Sequence, residues 1–112
     1  MGRAPHFYSI FCVENSGDAY SLYRKAFGAK KIREELDGTH ITMDVFGVEI
    51  MLMPGDNPSG GCIHFETEAD LLGAYEVLVR EGTDCSLERD CDWASLAALV
   101  TDKYGVKWLF CI

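Results

Sequence analysis

Five apolar positions, Ala19, Leu22, Tyr23, Ala26 and Phe27, recur at i, i+3, i+4, i+7 and i+8, the spacing of one helix face. Asn15 or Ser16 is placed to cap the start of this helix, and Gly28 to stop it. A second stripe, Leu71, Ala74, Tyr75, Leu78 and Val79, repeats the first 52 residues later. Thr67 is its expected N-cap, with Asp70 three residues on, and Gly82 its expected stop. Each helix follows an alternating stretch. Phe7, Ser9, Phe11 and Val13 form one face of the first, and Ile63, Phe65 and Thr67 one face of the second. Strand-like segments follow at about 30–36, 39–46 and 48–54, then at about 83–88, 93–101 and 106–112. The order β-α-β-β-β therefore occurs twice.

The ends of the two units match as well. "DVFGVEIML" at 44–52 and "DKYGVKWLF" at 102–110 share Asp, an aromatic residue, Gly and Val, 58 residues apart. Each reads as a closing hairpin, with Asp at the first turn position and Gly in the left-handed conformation that ends the turn. Helices and hairpins repeating in one order indicate duplication. "PGDNPSGG", residues 54–61, carries two of the three prolines and separates the halves. A single domain over residues 1–112 is expected. Its first module spans about 5–54, its linker about 55–60 and its second module about 61–112.

Charge and composition narrow the function. The net charge of −8 argues against nucleic-acid binding, which needs a basic footprint. The sequence has no apolar run near the ~20 residues of a membrane span, and residues 1–13 lack a secretory h-region, so a cytoplasmic location is expected. The five cysteines, Cys12, Cys62, Cys85, Cys91 and Cys111, include no CxxC pair. That spacing indicates neither a zinc knuckle nor a disulfide framework, and most are expected to be small core residues.

"YRKAFGA" (23–29) and the run "WASLAALVTDKYGVKW" (93–108) resemble the PhnB-like branch of the vicinal-oxygen-chelate superfamily, which includes glyoxalase I, bleomycin-resistance proteins and extradiol dioxygenases. Such proteins tend to carry Trp-Gly-x-Arg-Phe-Gly, three residues, then Asp-Pro-Phe-Gly-Val-x-Trp. Here Ala94 and Ala98 replace glycines, Leu96 the arginine and Lys103 the proline. The resemblance implies an α+β fold: two βαβββ modules forming a curved, partly open mixed sheet, with helices on the convex side and ligand in the concave cleft. Metal-dependent members bind one divalent ion through four His or Glu side chains on first and last strands. Those positions fall on Tyr8, counted back from Gly28; on Cys62, counted back from Gly82, or Gly60 by the helix stripes; and on Met51 and Leu109. Such residues do not suit a hard cation, so no metal and no cofactor are expected.

Strand parity gives the concave face independently. It assigns His6, Tyr8, Ile10 and Cys12 to the cleft, with Cys62, His64 and Glu66 on the fifth strand. Glu49, Met51 and Met53 follow from the first hairpin, Lys107, Leu109 and Cys111 from the second, and His40, Thr42 and Asp44 from the third strand. This apolar, sulfur-rich floor suits an organic ligand. Tyr8 is a candidate ligand contact or a plain core aromatic. Glu49 and Glu66 are candidate counter-ions for a cationic ligand or a solvated pair at the rim. Cys62 with His64 as base is a candidate nucleophile, against an inert buried thiol. His6, His64 and Glu49 or Glu66 form a candidate displaced metal site, against ordinary hydrogen-bonded histidines. Trp93 and Trp108 are expected in the core.

The leading expectation is a metal-free small-molecule binding protein holding an apolar or cationic organic compound at Tyr8, Glu49, Met51, Cys62, His64, Glu66 and Leu109. The alternative is an enzyme of the same superfamily, of lyase or dioxygenase type, with a displaced metal site or a Cys-based site. Unpaired strand edges and the resemblance together imply a homodimer.

Overall fold

Both helices form where the stripes place them. In the computed structural model, which describes residues 7–112, α1 runs Ser16–Phe27 and α2 Glu68–Val79. The Asn15 side chain caps α1 by accepting from the Asp18 N–H at 3.0 Å. Ser16, the other capping candidate, is buried and donates to the Thr39 carbonyl at 2.7 Å. Thr67 caps α2 through the Asp70 N–H at 3.1 Å. Gly28 ends α1 at φ 69°, a left-handed position that favours glycine. Gly82 has a different role. α2 stops at Val79, before it, and a Cβ at Gly82 would lie 2.7 Å from the carbonyl oxygens of Leu78 and Thr101. It permits close approach of the helix end to a strand.

The strands are β1 (Ser9–Cys12), β2 (Lys30–Glu35), β3 (His40–Val45) and β4 (Val48–Met53), then β5 (Ser59–His64), β6 (Thr83–Cys91), β7 (Ala94–Thr101) and β8 (Val106–Cys111). They make two four-stranded sheets of matching topology, β1-β4-β3-β2 and β5-β8-β7-β6, each mixed because β1 joins β4, and β5 joins β8, in parallel. The fold is two βαβββ modules whose sheets do not close. β5 begins at Ser59, so it takes in residues read as linker, and it ends at His64. Glu66 therefore lies past the strand, in the connection to α2.

One face of each sheet packs on the helices. Ile41, Met43, Ile50 and Leu52 from the first module join Leu96, Ala98, Val100, Trp108 and Phe110 from the second, under Ala19, Tyr23, Leu71, Ala74 and Leu78 of the helices. Each such large side chain contributes about 1.5–3 kcal/mol on burial. Trp108 sits among Phe11, Tyr23 and Phe27, with ring centroids 5.5, 5.6 and 4.8 Å away. The two modules thus share one core.

The polar centre of that core is Asp102, which is 3% exposed. Its Oδ2 accepts from the Tyr23 hydroxyl at 2.6 Å and the Trp108 Nε1–H at 2.9 Å. Its Oδ1 accepts from the Tyr104 and Val106 N–H groups at 2.8 and 3.1 Å. Four donors offset the cost of burying a carboxylate. The Tyr23 bond ties the first helix of one module to the last hairpin of the other.

Several expectations need correction. Trp93 is 60% exposed, at the β6–β7 turn, where the polypeptide leaves the core. Phe7 precedes β1 and is 85% exposed, because the strand that would turn it inward starts at Ser9. Of the cysteines only Cys111 is buried; Cys62 and Cys85 are exposed, and all five are free thiols. His6 lies outside the described residues.

Candidate functional site

The face turned away from the helices carries the residues that parity assigned to it. Along β4, Ile50 and Leu52 are buried while Glu49, Met51 and Met53 are half-buried. Along β8, Val106, Trp108 and Phe110 are buried while Leu109 is half-buried and Lys107 exposed. Ile10 on β1 is 56% exposed and Leu99 on β7 is 50% exposed. Strand register joins these into rows. Ile10, Met51, Thr42 and Arg33 lie side by side across the first sheet. Cys62, Leu109 and Leu99 do so across the second. β1 and β5 meet at the seam, where the Cys12 N–H donates to Ser59 Oγ at 3.0 Å.

Register also corrects the carried-over positions. Met51 pairs with Ile10, and its counterpart Leu109 pairs with Cys62. Ile10, not Tyr8, is therefore the equivalent of Cys62, and Tyr8 matches Gly60. The spacing is 52 residues, that of the helix stripes. Counting back from Gly82 misplaced Cys62 because Gly82 is not a counterpart of Gly28. With either set of positions, the side chains are Ile or Tyr, Met, Cys or none, and Leu, which supply no carboxylate or imidazole ligands for a hard cation.

Arg33, a residue missed by the sequence reading, crosses the floor of the first module. Its Nη2 donates to the Tyr8 hydroxyl at 2.7 Å and its guanidinium lies 5.2 Å from the centre of that ring. Its Nε is 3.3 Å from the Glu35 carboxylate. Tyr8 immediately precedes β1, and β2 and β1 are the outer strands of this sheet, so the Arg33–Tyr8 pair reaches across β3 and β4. Thr42 is correspondingly buried although it faces the cleft. Parity along β2, where Arg33 and Glu35 alternate with Glu34, carried the signal. Leu96 stands where the resemblance expects arginine, but it is buried on the helix side, so its identity does not affect the cleft.

Cys62 and His64 come together with Cys111, their ligating atoms all within 4.8 Å of one another. His64 and Cys111 are register partners on β5 and β8. Burial pushes the Cys111 thiol above its ordinary range, and the Cys62 thiol beside it acts in the same direction. A reactive thiolate is not favoured at Cys111. Glu66 is not part of that cluster; with Phe46, Ile63, His64, Phe65 and Asp70 it lines a depression beside α2.

A cavity lies at the seam. It has a volume of about 340 Å³ and an apolar wall that includes Phe11, Val45, Ile50, Ile63 and Trp108, with Cys62 and His64 also lining it. Gly61 lets the Trp108 ring pack close to β5, since a Cβ there would come within 3.2 Å of that ring.

No family model and no curated protein matches the sequence. Solved structures do. A PhnB protein from Bacillus cereus superposes with TM-score 0.79 at 19% identity, covering 96% of this chain and 98% of that one. The chain has the vicinal-oxygen-chelate fold. A Pseudomonas aeruginosa protein matches with TM-score 0.71 at 20% identity over 93% and 92% of the two chains. The fosfomycin resistance protein FosX from Listeria monocytogenes matches with TM-score 0.69 at 9% identity over 98% and 91%. At these identities the likeness concerns the fold, and the chemistry must be argued from the side chains. Among the described residues, no helix is long and apolar enough to cross a membrane.

Proposed function

We propose that this vicinal-oxygen-chelate protein is a cytoplasmic small-molecule binding protein that holds an apolar or cationic organic compound in its cleft without a hard metal ion. One observation carries the reading. The concave face exposes Ile10, Met51, Leu99 and Leu109, and the positions that hold metal ligands in metal-dependent relatives carry Ile10 or Tyr8, Met51, Cys62 and Leu109. Apolar contact supplies most of the affinity, at about 25 cal/mol per Å² buried before the cost of association. Tyr8, with Arg33 over it, and Met51 form one wall; Cys62, His64 and Leu109 form the other. Glu49 and the net charge of −8 give a smaller, salt-sensitive bias toward cations, which the Arg33 guanidinium on the same floor reduces. Glu66 acts at the rim.

The same exposed face supports a homodimer, in which a second copy roofs the cleft and covers sheet edges. Light scattering at micromolar concentration is expected to give twice the 12.5 kDa chain mass; a 12.5 kDa species would contradict it.

A thermal-shift screen of size-matched cationic, neutral and anionic aromatics, run with chelator present, tests the ligand class. Cationic compounds should stabilise most, and Met51→Lys should abolish the shift by placing a charge in the floor beneath Arg33. Preference for anions, or an unchanged shift in Met51→Lys, would overturn the reading.

A further inference from the structure

From the convergence of Cys62, His64 and Cys111 at the end of the β5–β8 ladder, we infer a site for one thiophilic d10 cation, with zinc as the reference ion. The site goes beyond the ligand reading above and does not depend on it. It also differs from the hard-cation site of the fold's metal-dependent members. All three ligands lie in the second module, and His64 and Cys111 occupy positions one row beyond the Cys62–Leu109 pair.

The geometry comes from the sheet. On a parallel pair, His64 and Cys111 stand side by side, and Cys62 lies two residues before His64 on the same face. Three side chains on adjacent strands therefore point at one volume without any loop to order. Their ligating atoms already fall within 4.8 Å of one another. Tetrahedral zinc with Zn–S bonds of about 2.3 Å needs sulfurs roughly 3.8 Å apart. Side-chain torsions alone can close that gap. The chain supplies two sulfurs and one imidazole, a set that selects zinc, cadmium or copper(I) over magnesium, calcium or manganese.

The site is also half anchored. Cys111 is 1% exposed, and its register partner on β7 is Ala97, whose small side chain leaves the sulfur room. Cys62 and His64 are exposed on the cleft side, which gives an ion an entry path. Three protein ligands leave the fourth tetrahedral position open toward the cleft, for water or an added thiolate. Binding releases the protons of the two thiols to solvent, so a neutral S₂N set becomes a dithiolate that neutralises the dication.

The test uses the full chain, reduced and freed of metal, then titrated with Co(II), Cd(II) and Zn(II) and desalted. We expect one ion per chain. The cobalt form should show sulfur-to-metal charge transfer and the intense visible bands of a tetrahedral site. Cys62→Ser and His64→Ala change exposed side chains and should leave the fold's thermal stability intact. Each should weaken binding by more than the roughly 10–100-fold that loss of an outer-shell partner causes. Cys85→Ser should change nothing, because Cys85 lies outside the cluster. Cys111→Ala should abolish binding, but its buried position makes the two exposed variants the decisive ones. No retained ion in the reduced wild type would overturn the inference. So would retention undiminished in both Cys62→Ser and His64→Ala, cobalt spectra without sulfur bands, or a Cys62–Cys111 disulfide that persists in reductant. The organic-ligand screen is run on the wild-type chain with chelator, so a missing ion leaves its outcome unchanged.

Discussion

The hairpins that close the two modules begin from nearly the same sequence and place their aspartates on opposite faces. In the first, Asp44 pairs with Glu49 and Val45 with Val48, leaving the two-residue turn Phe46-Gly47. In the second, Thr101 pairs with Lys107, and the Asp102 N–H donates to the Val106 carbonyl at 2.9 Å, leaving Lys103-Tyr104-Gly105. The second turn is one residue longer. With a side-chain period of two, that residue moves the aspartate to the other side of its sheet. Asp44 stays on the cleft side, where among the described residues it accepts from the Gly47 N–H at 3.3 Å. Asp102 turns into the core and gathers Tyr23, Trp108 and two backbone N–H groups. A repeat in sequence is therefore not a repeat in role. Turn length decides which copy of a shared residue supports the fold.

Asp102→Ala gives the sharpest way to break this comparison. It leaves the Tyr23 hydroxyl and the Trp108 N–H buried without a partner. Loss of several hydrogen bonds to a buried charge should lower stability by about 3–5 kcal/mol. Urea denaturation measures it, and a loss under about 1 kcal/mol would remove Asp102 from its structural role.

Tyr23→Phe should come next, at about 1.5–3 kcal/mol for one hydrogen bond to a charged group. It also carries a pH signature. Burial, and then the Asp102 charge, push the Tyr23 phenol far above its ordinary value of 10.0. The folded chain keeps this proton while the unfolded chain releases it, so the contribution is complete below pH 10 and falls as pH rises beyond it. Unfolding at a series of alkaline pH values should show a steeper decline for wild type than for Tyr23→Phe. Parallel curves would count against the linkage.

Phe46 sharpens the contrast from the other hairpin. It holds φ 51° in a two-residue turn, a conformation in which Asn is common and Phe strained. Its ring packs edge-on to Phe27 and Phe65, with centroids 6.1 and 5.9 Å away. Phe46→Asn relieves the strain but loses both contacts, each worth about 0.5–1.5 kcal/mol. The net change should stay within about 1 kcal/mol by thermal or urea unfolding; a loss near 3 kcal/mol would show that the rings outweigh the turn.

Asp44→Ala should have the smallest effect, below about 0.5 kcal/mol, as for a surface change away from any network. Equal losses from Asp44→Ala and Asp102→Ala would erase the distinction between the two hairpins.

Period and punctuation along the chain encode much of this fold. The two helices, the Thr67 cap, the order of strands along the chain, the 52-residue spacing and the cleft-facing set on β4 and β8 follow from side chains reading out a 3.6- or 2-residue period, whereas spacing does not choose between Asn15 and Ser16 as the cap of α1. Glycines were less transparent. Gly28 is a left-handed stop, whereas Gly82 is glycine because two carbonyl oxygens crowd it, and one-dimensional spacing does not distinguish these causes. That confusion displaced the Tyr8–Cys62 equivalence by two residues. The register of β5 on β8, which sets His64 against Cys111, and the reach of Arg33 across two strands to Tyr8 arise from packing in three dimensions. So does the place of Asp102 as the junction of the modules, 79 residues from its Tyr23 partner. Parity tells which face a residue occupies. Neighbours across strands depend on how two distant segments slide past each other, and the packing of the shared core sets that slide.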